Sequence, residues 1–267
     1  RSRIDIFLRK AIKNYQLFIN HQSINAHILC SIMRYLYLPL LALLTTSQTV
    51  AGLSLPVPAF GVNARLVAKP ERRDELTALL LQNRASTLQN EPEALQFSFG
   101  PDPNDPLVVH LHERFTSRHG FDVHRDAPHL DDWREFKASD PFFVPPRFVF
   151  YDLAEGSGEV PESKGPGVFC RNVDARIRPE ARGDFLEVIR GIALGSRDEE
   201  LCLQYAWGED VEVPNLFHFH EEYIIGNGGK EELEALASTP YFEEWERFAG
   251  DGGLFMEPPD VKCFTTL

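Results

Sequence analysis

Four histidines stand in two pairs, His110-x-His112 and His218-x-His220, and a glutamate follows each pair directly, Glu113 and Glu221. Alternate residues of a strand share a face, so each pair would present two imidazoles to one side. Such a set can ligate a transition metal or build a hydrogen-bonded polar interface. The second use is the commoner one, and no metal is expected. His124 and His129 lie on a stretch with helical periodicity and are candidate general acid/base groups, because imidazole titrates near neutrality. Glu113 could orient such a base. Phe97, Phe99 and Phe115 on neighbouring strands, with Trp133 beyond them, are candidates for stacking on an aromatic substrate. Their plainer roles are core packing and helix anchoring.

What must position these residues is a unit that occurs twice. Asn63 to Pro70 matches Asn172 to Pro179, and Ala94 to Gly100 (ALQFSFG) matches Cys202 to Gly208 (CLQYAWG). His110–Glu113 matches His218–Glu221, and Pro128 to Trp133 matches Pro240 to Trp245. The order never changes, which is duplication. Within each copy the apolar period switches between 2 and 3.6 as a βαββαβ unit requires. In copy one, a strand at Val62–Ala68 leads through Pro70 into a helix with the stripe Leu76, Leu79, Leu80 and Ala85. Two hairpin strands follow, around Leu95–Phe99 and Leu107–Phe115. A helix over 120–136 and a strand over 147–153 complete it. The domains are therefore 60–153 and 168–267, joined by a linker at 154–167 (AEGSGEVPESKGPG) of flexible composition.

Alternation sorts each sheet into two faces. One is apolar and suited to lie under helices. The other carries Asn63, His110 and His112 in copy one and Asn172, His218 and His220 in copy two. Packing the two polar faces together, as an inter-repeat seam, would satisfy both. Copy two keeps an aromatic wall in Tyr205, Trp207 and Tyr223, but has Leu236 and Tyr241 where copy one has His124 and His129.

The net charge is −13, and residues 1–51 are basic, so the remainder is more acidic still. A surface of that sign repels phosphate backbones and anionic lipid, so nucleic acid and membrane surfaces are poor partners. Residues 33–51 have the basic, apolar and small-residue order of a secretory signal, with an apolar run too short for a lasting membrane span. Residues 1–32 would then lie upstream of it, and the expected location is secretory or extracellular. The Ala59-Phe60 pair offers the alternative of a plastid in an alga with complex plastids. Cys170, Cys202 and Cys263 lack the spacing of a zinc site and read as thiols, with one bridge possible among them.

Each copy resembles an antibiotic biosynthesis monooxygenase (ABM) domain of the dimeric α/β-barrel superfamily. The resemblance rests on Glu91-Pro92 before the second strand, the strand ending in Glu113, and His124-x-x-x-Pro128-His129-Leu130. It implies an α+β, ferredoxin-like fold and a pseudo-dimeric barrel made within one chain, with further homo-oligomers open. It also implies monooxygenation of a small electron-rich aromatic, quinol-like substrate by O2 with no cofactor. The alternative is a non-catalytic binding or stress-response barrel, since one fold hosts both.

Overall fold

Pro70 opens a single 3-10 turn at Pro70–Arg72, where its missing N–H leaves nothing unpaired, between strand β1 (Phe60–Ala68) and helix α1 (Arg73–Asn90). These elements belong to a computed structural model that describes residues 58–155, 157–161, 165–196, 199–224, 245 and 254–267. The segment 33–51 expected to be a signal, the residues before it, and Leu236 and Tyr241 lie outside the described residues.

Copy one continues with β2 (Ala94–Pro101), β3 (Val108–Phe115), α2 (Arg118–Arg125), α3 (Asp131–Ala138) and β4 (Phe142–Leu153). The helix expected over 120–136 is thus two helices. Pro128 holds Ala127 in an extended conformation (φ −62°, ψ 135°) and starts a separate turn at Pro128–Leu130. Ser117 caps α2, its side chain accepting from the Gly120 N–H at 3.2 Å. β4 begins earlier than expected despite Pro145-Pro146, beside irregular pairing with β1 between Arg65 and Ala68. Copy two comprises β5 (Phe169–Arg176), α4 (Arg182–Ser196), β6 (Cys202–Asp210), β7 (Leu216–Tyr223) and β8 (Asp260–Thr265).

All eight strands form one antiparallel sheet in the order β2-β3-β1-β4-β6-β7-β5-β8. The copies therefore join edge to edge as well as face to face, a refinement of the packing expected from the polar faces alone. β4 pairs with β6 from Tyr151↔Asp210 to Leu153↔Gly208. At the two ends of that order, the Leu267 N–H donates to the Phe99 carbonyl at 3.2 Å, and the Thr265 carbonyl lies against Gly100. The sheet thereby curls into a barrel with two equivalent joints. Each joint needs a glycine: a Cβ on Gly100 would stand 1.9 Å from the Thr265 carbonyl oxygen, and one on Gly208 2.0 Å from that of Asp152.

The apolar faces pack under helices as expected. Leu76, Leu79 and Leu80 of α1 meet Leu66, Phe97, Phe99 and Leu111, with Phe136 of α3 alongside. In copy two, Phe185, Ile189 and Ile192 of α4 meet Trp207, Phe217 and Phe219. Leu95 departs from the pattern: the β2–β3 register slips between Ala94 and Gln96 and leaves it exposed. Cys170 and Cys263 are free thiols. The expected linker is anchored at its start, where Ser157 is buried and its Oγ donates to the Ala154 and Trp207 carbonyls. No helix among the described residues is long and apolar enough to cross a membrane.

Candidate active site

The polar faces do meet, inside the barrel. The His112 and His220 rings stack at 3.7 Å with an 8° tilt, both fully buried. Each is held by its own repeat's asparagine: Asn63 Oδ1 lies 2.8 Å from His112 Nδ1, and Asn172 Oδ1 lies 2.8 Å from His220 Nδ1. Each asparagine then donates its amide across the seam, Asn63 to the Phe219 carbonyl and Asn172 to the Leu111 carbonyl, both at 3.0 Å. Burial, then repulsion from His220 and Arg114, pushes His112 well below the usual imidazole range. This ring stays neutral and structural. His110 and His218 turn away to Asp102 and Asp210, each at 2.9 Å, so the four imidazoles do not converge on one point.

Asp174, beside the seam, is 2.7 Å from His218 Nδ1 and accepts from Lys262 Nζ at 2.8 Å. Burial alone would raise its pKa. The His218 hydrogen bond and the Lys262 charge outweigh burial and bring it down to about 2. A carboxyl depressed on folding contributes stability above its ordinary pKa and loses it as pH falls through the folded value. Asp174→Asn should therefore cost about 2 kcal/mol at neutral pH. That gap from wild type should close between about pH 4 and pH 2 in urea denaturation curves.

A cavity of ≈ 370 Å³ opens in copy one between the sheet and its helices. Its sheet wall includes Val62, Phe97, Leu111 and Glu113, and its helix wall includes Leu80, Asn83, Phe121, His124 and Trp133, with Phe148 and Phe150 from β4. The surface of this space is largely apolar and aromatic, and its polar members are Asn83, Glu113 and His124 with Arg125, Asp126, Arg134 and Lys137 from the helices. Glu113 is 8% exposed, and burial pushes its carboxyl above the usual range; His124 pulls it partly back and Glu91 adds a further upward push.

His124 Nε2 stands 3.8 Å from Glu113 Oε1, while its Nδ1 lies 3.0 Å from both Glu91 carboxylate oxygens. The ring is thus oriented from behind and points its second nitrogen towards the cavity carboxyl. His129 Nε2 is 3.1 Å from Glu91 Oε1 and 3.2 Å from Thr87 Oγ1. It lies behind Glu91, bordering an outer depression and not the cavity. Of the expected substrate contacts, Phe97 and Trp133 line the cavity. Phe99 is covered by the Arg84 guanidinium, 5.1 Å from its ring, and Phe115 by Phe121, 5.7 Å away. Neither is in the wall.

Three contributors went unread in the sequence. Glu91 stands out in the sequence only as part of Glu-Pro, and Phe121 carries no signal beyond lying in the helix-periodic stretch 120–136. Asn83 falls at the next turn of the Leu76, Leu79, Leu80 stripe, so its signal was a polar residue at an apolar position.

Copy two shows what the same site looks like when closed. Arg171 occupies the place of Val62, and its Nη1 lies 3.4 Å from Glu221 Oε2. Tyr223, in the place of Phe115, donates to that same oxygen at 2.6 Å. Ile192, in the place of Asn83, is core. The cavity there measures ≈ 70 Å³. Two groups among the described residues have ligand atoms within 4.8 Å of one another, as a metal ion would need: Glu91, His124 and His129, and Cys170, His220 and Glu222. In the first, a hydrogen bond already joins the carboxylate to His124, and His129 stands at ion-pair distance from it while hydrogen-bonding Thr87. In the second, His220 Nε2 and Glu222 Oε1 are joined at 3.2 Å.

The family described as Antibiotic biosynthesis monooxygenase (ABM) matches residues 59–135 and again 169–247. Among solved structures, two proteins each called "putative monooxygenase" align over both repeats. The one from Lactobacillus acidophilus NCFM is 17% identical, covers 78% of this chain and 93% of its own, and has a TM-score of 0.64. The one from Fusobacterium nucleatum is 15% identical, covers 79% and 93%, and has a TM-score of 0.69. An anthrone oxidase-like protein is 8% identical over 79% and 91%, with a TM-score of 0.53. At these identities the likeness is one of fold. No curated protein matches the chain. The two family matches fall at equivalent places in the repeats and together span more than half of the sequence, so the chain belongs to the antibiotic biosynthesis monooxygenase family as two tandem copies in one polypeptide.

Proposed function

We propose that the copy-one cavity oxygenates a small electron-rich aromatic, quinol-like substrate with O2 and no added cofactor, and that Glu113, positioned by His124, removes the hydroxyl proton. One observation carries this reading. The glutamate common to both repeats is neutralised by Arg171 and Tyr223 in copy two, and in copy one it is left facing an aromatic-walled cavity with an oriented imidazole beside it. A buried carboxyl with a raised pKa is a competent base towards a phenol, because its affinity for a proton lies closer to that of its target.

Proton transfer to Glu113 leaves a phenolate whose ring carbon can give electrons to O2 and form a C–O bond to a peroxide. Loss of the proton from that carbon and cleavage of the O–O bond then release water. One quinol and one O2 give one hydroxyquinone and one water, so no external reductant is consumed. The test is oxygen uptake on a panel of quinols under 18O2. The expected result is one labelled atom in the product and one in water. Absence of uptake across the panel overturns the reading and leaves a binding barrel in its place.

A further inference from the structure

We infer that Asn83 is a specificity determinant of the copy-one cavity, selecting aromatic ligands that carry a second hydrogen-bonding group besides the hydroxyl that meets Glu113. This rests on reading the cavity as a substrate site.

Asn83 sits three residues after Leu80 and seven after Leu76, on the side of α1 that packs against the sheet. Its 3% exposure is that of its apolar neighbours. Its Oδ1 is buried with no hydrogen-bond partner among the described residues. A buried acceptor left without a partner costs free energy that an aliphatic side chain would not. The duplicate places Ile192 at the equivalent point, 4% exposed and inside its core cluster, so the fold itself accepts an aliphatic residue there. What differs between the copies is the cavity. Asn83 and Glu113 both line it, the first from the helix wall and the second from the sheet wall. A ring held between these walls can meet the carboxyl with one substituent and the amide with another.

The choice of an amide also fits a ligand that changes oxidation state. An amide offers one acceptor and two donors, so it can accept from a hydroxyl and, after rotating, donate to the carbonyl that replaces it. A carboxylate could do only the first, and would add a second negative charge near Glu113. The cavity volume of ≈ 370 Å³ is at the small end for ligand pockets and suits a compact ring system.

The test is calorimetric binding of 1-naphthol and of dihydroxynaphthalene isomers to the full chain, under nitrogen so that turnover plays no part. Wild type should bind its preferred diol about tenfold or more tightly than 1-naphthol. Asn83→Leu should bring that ratio close to one while 1-naphthol binds as well as before, and it should melt no lower than wild type. A ratio that survives in Asn83→Leu, equal losses for both ligands, or no diol preference in wild type overturns the assignment. Because binding is read without O2, a protein that fails to oxygenate quinols can still show the preference. A flat ratio in an active enzyme sinks only the role of Asn83.

Discussion

Glu113→Gln is expected to lower oxygen uptake on a quinol substrate by about 10²–10⁴-fold, because a positioned base typically contributes that much. The protein should stay folded. A carboxyl whose pKa is raised by burial contributes stability below its ordinary pKa and loses it as pH rises through the folded value. Near neutrality the neutral amide therefore removes a destabilising charge. In wild type, kcat/KM should fall as pH drops through an acid limb lying above the usual carboxylate range, where Glu113 takes up its proton. His124→Ala should produce a comparable loss, since it removes the only ion-pairing partner of Glu113 among the described residues. The double variant should be little worse than either single one, as groups acting as a unit are not additive. His129→Ala should cost less, for among the described residues His129 meets Glu91, Thr87 and the His124 ring, whose centroid is 6.3 Å away, and has no contact with Glu113. An oxygen electrode, with each variant's thermal midpoint measured alongside, decides the matter. Equal turnover in wild type and Glu113→Gln would refute the base.

Gly100→Ala and Gly208→Ala are each expected to destabilise the chain by roughly 2–4 kcal/mol, the range of severe overpacking. The obstacle in both cases is a strand carbonyl about 2 Å away, and backbone cannot rotate aside as the tip of a long side chain can. The two costs should be similar, because the joints are equivalent positions of the repeat. Chemical denaturation of the two variants and a neutral surface control such as Glu71→Ala would measure this. A loss below about 0.5 kcal/mol at either glycine, the usual scale for surface changes, would show that the joint does not depend on close approach.

The barrel was legible because its evidence is periodic. Alternation at His110/His112 and His218/His220 points both pairs to the inward face, and the matched stretches ALQFSFG and CLQYAWG end in the glycines that the fold places at the two joints. The helix break was less visible, because only Pro128 signals it and His124 and His129 otherwise fall within one helix-periodic stretch. That break separates a cavity residue from one behind it. Phe99 and Phe115 share a face with Phe97, as alternation requires, but Arg84 and Phe121 decide which rings stay open, and those are tertiary contacts. Asn83 is hard to see in the sequence because a polar residue within an apolar stripe does not disturb its helical period. Only setting it beside Ile192 in the duplicate brings it out.

In a pair of identical subunits every substitution enters twice, so an opening made on one side is made on the other. Covalent fusion lifts that restriction: Val62 and Arg171, Asn83 and Ile192, and Phe115 and Tyr223 hold matching places and have diverged. The halves have not become independent, because one continuous sheet and the reciprocal amide bonds of Asn63 and Asn172 bind them together. The whole barrel should therefore melt in a single transition. A buried carboxyl with a raised pKa and an amide oxygen without a partner in one half are tolerated because both halves draw on a common free energy of folding, to which the filled core and the Arg171–Glu221 pair of the other half contribute. Division of labour between the repeats is thus a property of the shared melting unit, and neither repeat would sustain it alone.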